Sequence, residues 1–323
     1  TANDKDAIPR PLLDRMEVIE LSGYLETEKV EIAKRHLIPK QLEKHGLKKC
    51  QLTIADEAIV ELIRGYTHEA GVRELERETA AVCRKAAMGI GSGKTRVRVG
   101  KQKLAAYLGA PKYTHGAIDA INEIGLANGL AWTSFGGETL QIEVQIVPGS
   151  GQVILTGKLG DVMQESAKAA LTFIKAHAEE FGITLPLDKK DIHLHVPEGA
   201  VPKDGPSAGI TIMTAMLSAL SGIPARADTA MTGEITLRGR VLEIGGLREK
   251  LLAAYRAGIK RVLIPRANEK DLSDVPDEVK ANMEIIGVAS AFDVIPLALE
   301  HRPQKAANAF IPQHAHTGAA AAQ

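Results

Sequence analysis

The most informative stretch of this chain is PEGAVPKDGPSAG, residues Pro197–Gly209, which leads into a long run of apolar residues. Ser207 stands where this loop meets the predicted helix, and the glycine, proline and alanine residues beside it let another chain approach closely. The first turn of a helix offers N–H groups and the positive end of the helix dipole, which stabilise an oxyanion. The stretch therefore fits a nucleophilic serine, although serine is also common in the first helical turn after a proline without any catalytic role.

Strands and helices alternate on both sides of this stretch, which predicts an α/β domain. The run Pro206–Ala225 carries no charge but contains several hydroxyl residues and two interior glycines, so it predicts a buried helix rather than a membrane span. Residues 140–146 alternate between apolar and polar side chains, a pattern that predicts a half-buried strand.

Further elements of this domain follow from turn and cap signals. The turn PGSG (148–151) predicts that residues 152–158 return as the partner of the preceding strand, and Asp161 is expected to cap the next helix. The runs RVLIP (261–265) and MEIIGV (283–288) predict buried strands.

The first third of the chain is predicted to be mostly helical. Apolar residues at helical spacing follow Thr53, which with Asp56 forms a short capping box in the sequence. Residues 28–44 also have helical character, and Pro39 is expected to bend or divide that helix.

The segment GIGSGKT (89–95) is similar to a phosphate-binding loop but departs from its pattern. The first glycine of that motif should fall at Met88, and the expected order of strand, loop and helix is reversed. The segment therefore predicts a glycine-rich turn at the end of a helix.

Length and composition limit the possible classes of protein. The 323 residues suggest two domains, each large enough to bury a core. The 40 Lys and Arg residues balance 40 Asp and Glu residues, which argues against an electrostatic nucleic-acid binder and gives no support to DNA as a partner. Two cysteines cannot form a disulfide framework, and no secretory signal or membrane span is visible, so the cytoplasm is the expected compartment.

Lys250 is the best candidate for a base beside Ser207. A helical projection of residues 247–257 places it in the middle of the apolar face, where a charged amine is costly. Desolvation lowers the pKa of a lysine, and a neutral amine can accept the proton of a serine hydroxyl. The alternative is a lysine with a buried stem whose amine reaches the solvent.

A pair of histidines offers a different chemistry. His193 and His195 lie on one face of a predicted strand together with Asp191, which could suggest a metal site. No further ligand lies nearby in the sequence, so the polar face of an amphipathic strand is the favoured interpretation, and no metal site is predicted.

Two segments, PKDGPSAG (202–209) and TGEITLRGRVLEIGGLREKLLAAYRAG (232–258), closely resemble the proteolytic domain of the bacterial Lon protease family, ATP-dependent Ser–Lys peptidases. The resemblance implies that Ser207 is the nucleophile, that Lys250 is the general base and that Thr232 orients the lysine. It implies hydrolysis of peptide bonds in unfolded, damaged or regulatory proteins, without a cofactor for the hydrolytic step.

The same resemblance assigns residues around the serine. Asp204 matches a family aspartate linked to switching between inactive and active loop forms. Independently of the resemblance, Gly205 and Ala208 belong to the loop of small residues beside the serine, where N–H groups are expected to hold the oxyanion. Trp132 and Thr133, in GLAWTSFGG, match the segment that borders the substrate groove.

The first third resembles parts of an AAA+ ATPase. Arg15 matches the arginine finger that reaches a neighbouring subunit's nucleotide, Arg73 matches the sensor-2 arginine, and Asn3 matches sensor 1. No Walker A or Walker B motif precedes them in this sequence, so the chain is expected to be part of a longer protein. ATP and Mg²⁺ are expected as cofactors of that longer protein only.

The predicted fold is a small helical AAA+ lid followed by an α/β Lon-type proteolytic domain. The expected boundaries are 1–22 for the end of the large AAA+ subdomain, 23–112 for the lid, 113–301 for the proteolytic domain and 302–323 for a flexible tail. The resemblance also implies self-association into a six-membered ring. Two alternatives remain open: a hexamerisation or substrate-binding module with a closed site, and a kinase-like phosphate-binding loop before the helix.

Overall fold

The computed structural model describes residues 8–19, 23–113, 121–133, 136–197 and 203–304. In these ranges a helical domain with its own apolar core precedes an α/β domain built on a seven-stranded mixed sheet. The predicted fold class is therefore confirmed. Within the same ranges, every helix is too short or too polar to cross a bilayer. The predicted tail from residue 305 onward lies outside the described residues.

The helical domain is held together by apolar residues that recur every three or four positions and share one face of each helix. Helix α1 (Arg10–Leu13) precedes this domain in the chain and has no buried residue. The described elements of the domain are α2 (Glu26–Ile32), a π-helical turn (Ala33–Leu37), α3 (Ile38–Lys44), β1 (Leu52–Ile54), α4 (Asp56–Tyr66), α5 (Arg73–Gly91), β2 (Val97–Val99), a 3₁₀ turn (Lys101–Lys103) and α6 (Leu104–Leu108).

Pro39 does not interrupt the helix in which it lies. Helical structure is continuous from Glu26 to Lys44, with the π-helical turn immediately before α3. Proline lacks an N–H group and its ring crowds the carbonyl four residues earlier, here Arg35. Since Arg35 lies in the wider π-helical turn, the backbone has room to absorb the proline without breaking.

The expected helix cap at Thr53 is wrong. Thr53 is the middle residue of β1, which pairs in parallel with β2, and α4 begins at Asp56 with Ala55 as the residue before it. Burial of Leu52 and Ile54 on one side of this short strand outweighs the local capping pattern.

The GIGSGKT segment forms the turn that its glycines predict. Helix α5 ends at Gly91, Gly93 has a positive φ of 98°, and β2 follows at Val97. This order of helix, turn and strand confirms that the segment is not a phosphate-binding P-loop.

The α/β domain alternates strands and helices along the chain. Its elements are β3 (Leu126–Thr133), β4 (Gly136–Pro148), β5 (Val153–Thr156), α7 (Asp161–Ala176), β6 (Lys190–His195), α8 (Gly209–Ser221), β7 (Thr229–Met231), β8 (Glu234–Ile235), β9 (Val241–Leu242), α9 (Leu247–Arg256), β10 (Arg261–Pro265), α10 (Asp277–Asn282), β11 (Glu284–Val288) and α11 (Ala291–Ala298). The strand order of the sheet among the described residues is β11–β10–β7–β3–β4–β6–β5, with both parallel and antiparallel neighbours. A separate two-stranded ribbon pairs β8 with β9.

Helices cover both faces of this sheet, and successive residues of β10 show the alternation. Leu263 packs into the core that contains α7, α8 and α11, whereas Val262 and Ile264 pack into the core that contains α9 and α10. Burial on both faces explains why the RVLIP run is almost continuously apolar, as predicted. It also places α8 and α9 on opposite sides of the sheet.

The expected pairing of β5 with β4 is wrong. Strand β6 lies between them, antiparallel to β4 and parallel to β5. The carboxylate of Asp191 in β6 accepts hydrogen bonds from the N–H groups of Ser150 and Gln152, each at 2.8 Å. These bonds hold the PGSG loop against β6. As a result, β5 lies on the far edge of β6 and does not pair with β4.

Candidate active site

Ser207 lies in a single 3₁₀ turn, Pro206–Ala208, that leads directly into α8. Gly205, just before this turn, has a φ of 133°, a conformation that favours glycine. Gly209 begins α8 where a Cβ atom would lie 2.7 Å from the backbone nitrogen of Ile235. The small residues around the serine therefore permit a sharp loop and a close approach of α8 to β8.

Lys250 is buried on α9, as its position on the apolar face predicts. It is 2% exposed, and its neighbours Leu247, Leu251 and Ala254 on the same face belong to the apolar core. Burial lowers the pKa of the Lys250 amine to about 8. Because this pKa lies close to physiological pH, a minor fraction of the amine is neutral there, and this fraction can act as a general base.

Thr232, directly after β7, connects the lysine to the serine backbone. The Lys250 amine donates a hydrogen bond to Thr232 Oγ1 at 3.1 Å, and that hydroxyl donates to the Ser207 carbonyl at 3.3 Å. The N–H of Gly233 also donates to the Ser207 carbonyl, at 2.8 Å, and the Gly233 carbonyl accepts from Ile210 at 3.0 Å. The end of β7 thus joins the beginning of α8 to the middle of α9.

Ser207 and Lys250 are linked through Thr232, which bonds to the Ser207 carbonyl and to the lysine amine. Among the residues that the structure describes, no hydrogen bond joins the Ser207 hydroxyl to the Lys250 amine, whose partner is Thr232. Ser207 is half-buried and lines a groove. The structure therefore holds the two residues close through Thr232 without a direct bond between their side chains.

Asp204 caps a helix that is distant in the sequence. Its Oδ1 accepts hydrogen bonds from the N–H of Met163, at 3.1 Å, and from the N–H of Gly205, at 2.9 Å. The expectation that Asp161 caps α7 is wrong, because Gly160 occupies the cap position and Asp161 is the first helical residue. A side chain at Gly160 would overlap the Asp204 carboxyl group, so the glycine makes room for a cap supplied by the serine loop.

The groove beside Ser207 contains all of the predicted loop and groove residues. Trp132 is 60% exposed at its border, and a side chain at Gly246 would collide with its indole ring. Glu138 and Lys203 also line the groove and were not among the predicted site residues. The pairing of β3 with β4 places Glu138 opposite Ala131. The lining residues are Leu130, Ala131, Trp132, Thr133, Glu138, Thr139, Leu140, Met163, Lys203, Asp204, Gly205, Ser207 and Ala208.

The predicted nucleotide-binding residues are separate from this groove. Arg15 follows α1 and Arg73 is the first residue of α5, and both are exposed. Neither is among the residues that line the groove. Asn3 lies outside the described residues.

The two histidines of β6 share a hydroxyl group. His193 Nε2 lies 3.0 Å and His195 Nδ1 lies 2.8 Å from the Thr156 Oγ1 of the neighbouring strand β5. In the described part of the chain, no group of three or more His, Cys, Asp or Glu side chains is arranged to hold a metal ion. The arrangement supports the interpretation of a polar strand face.

Comparison with known proteins matches both parts of this chain. Residues 98–301 match the Lon protease (S16) C-terminal proteolytic domain, and residues 43–99 match the Lon protease AAA+ ATPase lid domain. The chain is 57% identical to the Lon protease of Nitratidesulfovibrio vulgaris over 303 residues, which is 93% of this chain and 37% of that protein. It is 56% identical to the Lon protease of Escherichia coli K12 over 299 residues, 92% of this chain and 38% of that protein.

The fold and these matches define a proteolytic α/β domain joined to the helical lid of an AAA+ ATPase. The chain belongs to the Lon protease family. The predicted enzyme class, a peptidase, is thereby confirmed at the level of the family. The chain spans 37–38% of the length of the two curated relatives described above.

Proposed function

We propose that this chain carries the peptide-hydrolysing site of an ATP-dependent serine protease, with Ser207 as nucleophile and Lys250 as general base. The observation that carries the proposal is the buried Lys250 amine, bonded to Thr232 at the point where the Ser207 backbone is also held. Burial keeps the pKa of Lys250 at about 8, so roughly a tenth of the amine is neutral at pH 7 and half at pH 8.

The proposed reaction proceeds through an acyl-enzyme. The neutral Lys250 amine takes the proton of the Ser207 hydroxyl as its oxygen attacks the substrate carbonyl, and N–H groups at Ser207 and Ala208 hold the oxyanion. The ammonium then protonates the leaving amine, and Lys250 next removes a proton from the water that hydrolyses the ester. Thr232 orients the lysine, and the first step requires the amine to swing from Thr232 toward the serine hydroxyl.

Cleavage of an unstructured protein by the wild type, Ser207→Ala and Lys250→Met tests this assignment. Methionine fills the space of the lysine stem without an amine, so loss of activity in that variant is not caused by a cavity. Both variants should lose nearly all turnover while keeping the wild-type unfolding temperature. Substantial cleavage by either folded variant would contradict the dyad.

A second candidate function is a latent module that binds substrate and assembles while its peptidase site is closed. The observation that favours it is that Ser207 lies within a 3₁₀ turn while Lys250 is bonded to Thr232 and not to the serine. A serine-directed boronate distinguishes the two states, because an open site forms the covalent adduct and a closed site does not.

The remaining expectations concern the longer protein. We propose that ATP and Mg²⁺ act there, and the exposed Arg15 and Arg73 guanidinium groups are available to nucleotide phosphates held partly by other residues. Unfolded or damaged proteins are the proposed substrates, a six-membered ring is the proposed assembly, and the cytoplasm is the proposed compartment. Peptide hydrolysis itself is proposed to need no cofactor, and DNA is not a proposed partner.

A further inference from the structure

An ion pair links the helical domain to the groove beside Ser207. His68 Nε2, in the loop between α4 and α5, lies 3.2 Å from Oε1 of Glu138, near the start of β4. The His68 ring also packs against the Tyr113 ring in a tilted arrangement, with 5.3 Å between the ring centroids. Glu138 lines the groove together with Ser207 and Trp132, so one partner of the pair belongs to the proposed substrate site.

The loop that carries His68 is held at several points. Glu74 Oε2 accepts from the His68 N–H at 3.0 Å, and Glu69 Oε1 accepts from the Leu75 N–H at 2.8 Å. The amine of the buried Lys29 donates to the Glu69 carbonyl. These bonds fix the histidine relative to the beginning of α5.

The segment of β4 that carries Glu138 is held in place by helix α9. A Cβ atom at Gly137 would lie 1.9 Å from the Glu249 carbonyl, so β4 packs directly against α9 one residue before Lys250. The Arg256 guanidinium, also on α9, donates to the Gly137 carbonyl at 2.7 Å. Two well-held backbones thus bring the His68 imidazole and the Glu138 carboxylate together.

We propose that His68 is a positioning residue that compensates the charge of Glu138 in the groove and so sets the preference for acidic or basic substrate side chains. The proposal rests on the proposed peptidase function. With the pair formed, the carboxylate is held toward the helical domain and is partly neutralised. When the pair is lost, the Glu138 carboxylate no longer has its cationic partner from the helical domain. The groove that contains Ser207 then becomes more negative, so it repels acidic substrates and attracts basic ones.

The charges around the pair favour its formation. Glu138 raises the pKa of His68, and Glu74 acts in the same direction, whereas burial and Arg256 act against it. His68 in turn lowers the pKa of Glu138, and Arg256 and Lys203 add to that effect. The pair is therefore present below the ordinary histidine pKa and is lost as the pH rises through the raised value.

The fluorescence of Trp132 tests the pair without any need for catalysis. Trp132 is the only tryptophan in the chain, and it pairs with Gly137, next to Glu138. Lys250→Met serves as the background for this titration, because it removes the amine that itself titrates near pH 8. Between pH 5.5 and 9, emission in this background should show a transition with a midpoint above the ordinary histidine value. His68→Gln should abolish that transition and the matched control His301→Gln, an exposed histidine, should keep it. A transition that persists in His68→Gln would overturn the proposal.

Kinetics with paired peptides test the consequence for specificity. The peptides differ only by Glu or Lys near the cleaved bond, and the measured quantity is the ratio of the two KM values, acidic over basic. In the wild type this ratio should rise about threefold from pH 6 to pH 9, the size expected for one partly exposed charge. Effects of pH on Lys250 act on both peptides and cancel in the ratio.

Three variants distinguish a charge effect of His68 on the KM ratio from a merely structural role. The ratio should stay low at every pH in His68→Arg and in Glu138→Gln, and it should stay high at every pH in His68→Gln. Equal ratios in all three variants would overturn the proposal, because a merely structural role would alter both peptides alike. If the wild type cleaves neither peptide, the proposed function fails, while the Trp132 titration still decides whether His68 and Glu138 form the pair.

Discussion

The amine of Lys250 and the hydroxyl of Thr232 form a buried hydrogen bond of 3.1 Å that joins the two faces of the central sheet. Lys250 comes from α9 on one face, and Ser207 from the start of α8 on the other, while Thr232 follows the strand between them. The lysine is 2% exposed, so its amine has few alternatives to this partner. Burial lowers the proton affinity of the lysine, and the bond to Thr232 holds its amine in position.

The pH dependence of peptide cleavage should report the titration of Lys250. Because burial lowers the pKa of this amine to about 8, kcat/KM should rise from pH 6 and level off above about pH 9. The neutral form is the active one, so activity increases with pH. A profile that is flat across this range, measured where chemistry limits the rate, would argue against a lysine base.

Removal of the Thr232 hydroxyl should impair the site more than removal of its methyl group. Thr232→Val keeps the shape of the side chain but leaves the Lys250 amine without its buried partner, at a cost of about 1–3 kcal/mol in unfolding free energy. We expect kcat/KM to fall at least about tenfold in Thr232→Val and to remain near the wild type in Thr232→Ser. Denaturant unfolding and peptide cleavage measure the two effects, and equal loss in both variants would show that the hydroxyl is not the important group.

The sequence was sufficient for features that depend on periodic burial. Lys250 falls on the apolar face of its helix, and residues 140–146 alternate because one side of β4 is buried. The errors have a common cause, which is that distant residues outweigh local patterns. Pairing with β2 places Thr53 in a strand, and the Asp204 carboxylate caps α7 from a loop about forty residues away.

Groove residues could be predicted only in part for the same reason. Trp132 was found through a family motif, whereas Glu138 becomes visible only when the register of β3 against β4 is known. The partner of Glu138, His68, belongs to the other domain, and no pattern in the sequence relates the two. Contacts between domains depend on how folded surfaces fit together, which sequence periodicity does not record.

The helix cap from Asp204 should contribute to stability independently of catalysis. Asp204→Ala removes the acceptor for the Met163 N–H, and we expect a loss of about 1 kcal/mol in unfolding free energy, with a smaller loss in Asp204→Asn. The control is Asp188→Ala, at an exposed site in a separate 3₁₀ turn, which should remain within about 0.5 kcal/mol of the wild type. If Asp204→Ala and Asp188→Ala unfold at the same denaturant concentration, the cap does not stabilise α7.

The contact between β4 and α9 should be intolerant of even one added methyl group. At Gly137 a Cβ atom would lie 1.9 Å from the Glu249 carbonyl, so Gly137→Ala must push the strand away from the helix that carries Lys250. We expect a loss of about 1–3 kcal/mol in unfolding free energy, as in other overpacked sites, together with weaker peptide cleavage.

The matched control is Gly91→Ala at the end of α5, where nothing lies within 4 Å of the added methyl group. That variant should be as stable as the wild type or slightly more stable, since alanine favours the helix. Equal unfolding curves for the two variants would mean that β4 can move away from α9 without cost, and the close packing would then have no role in holding the lysine.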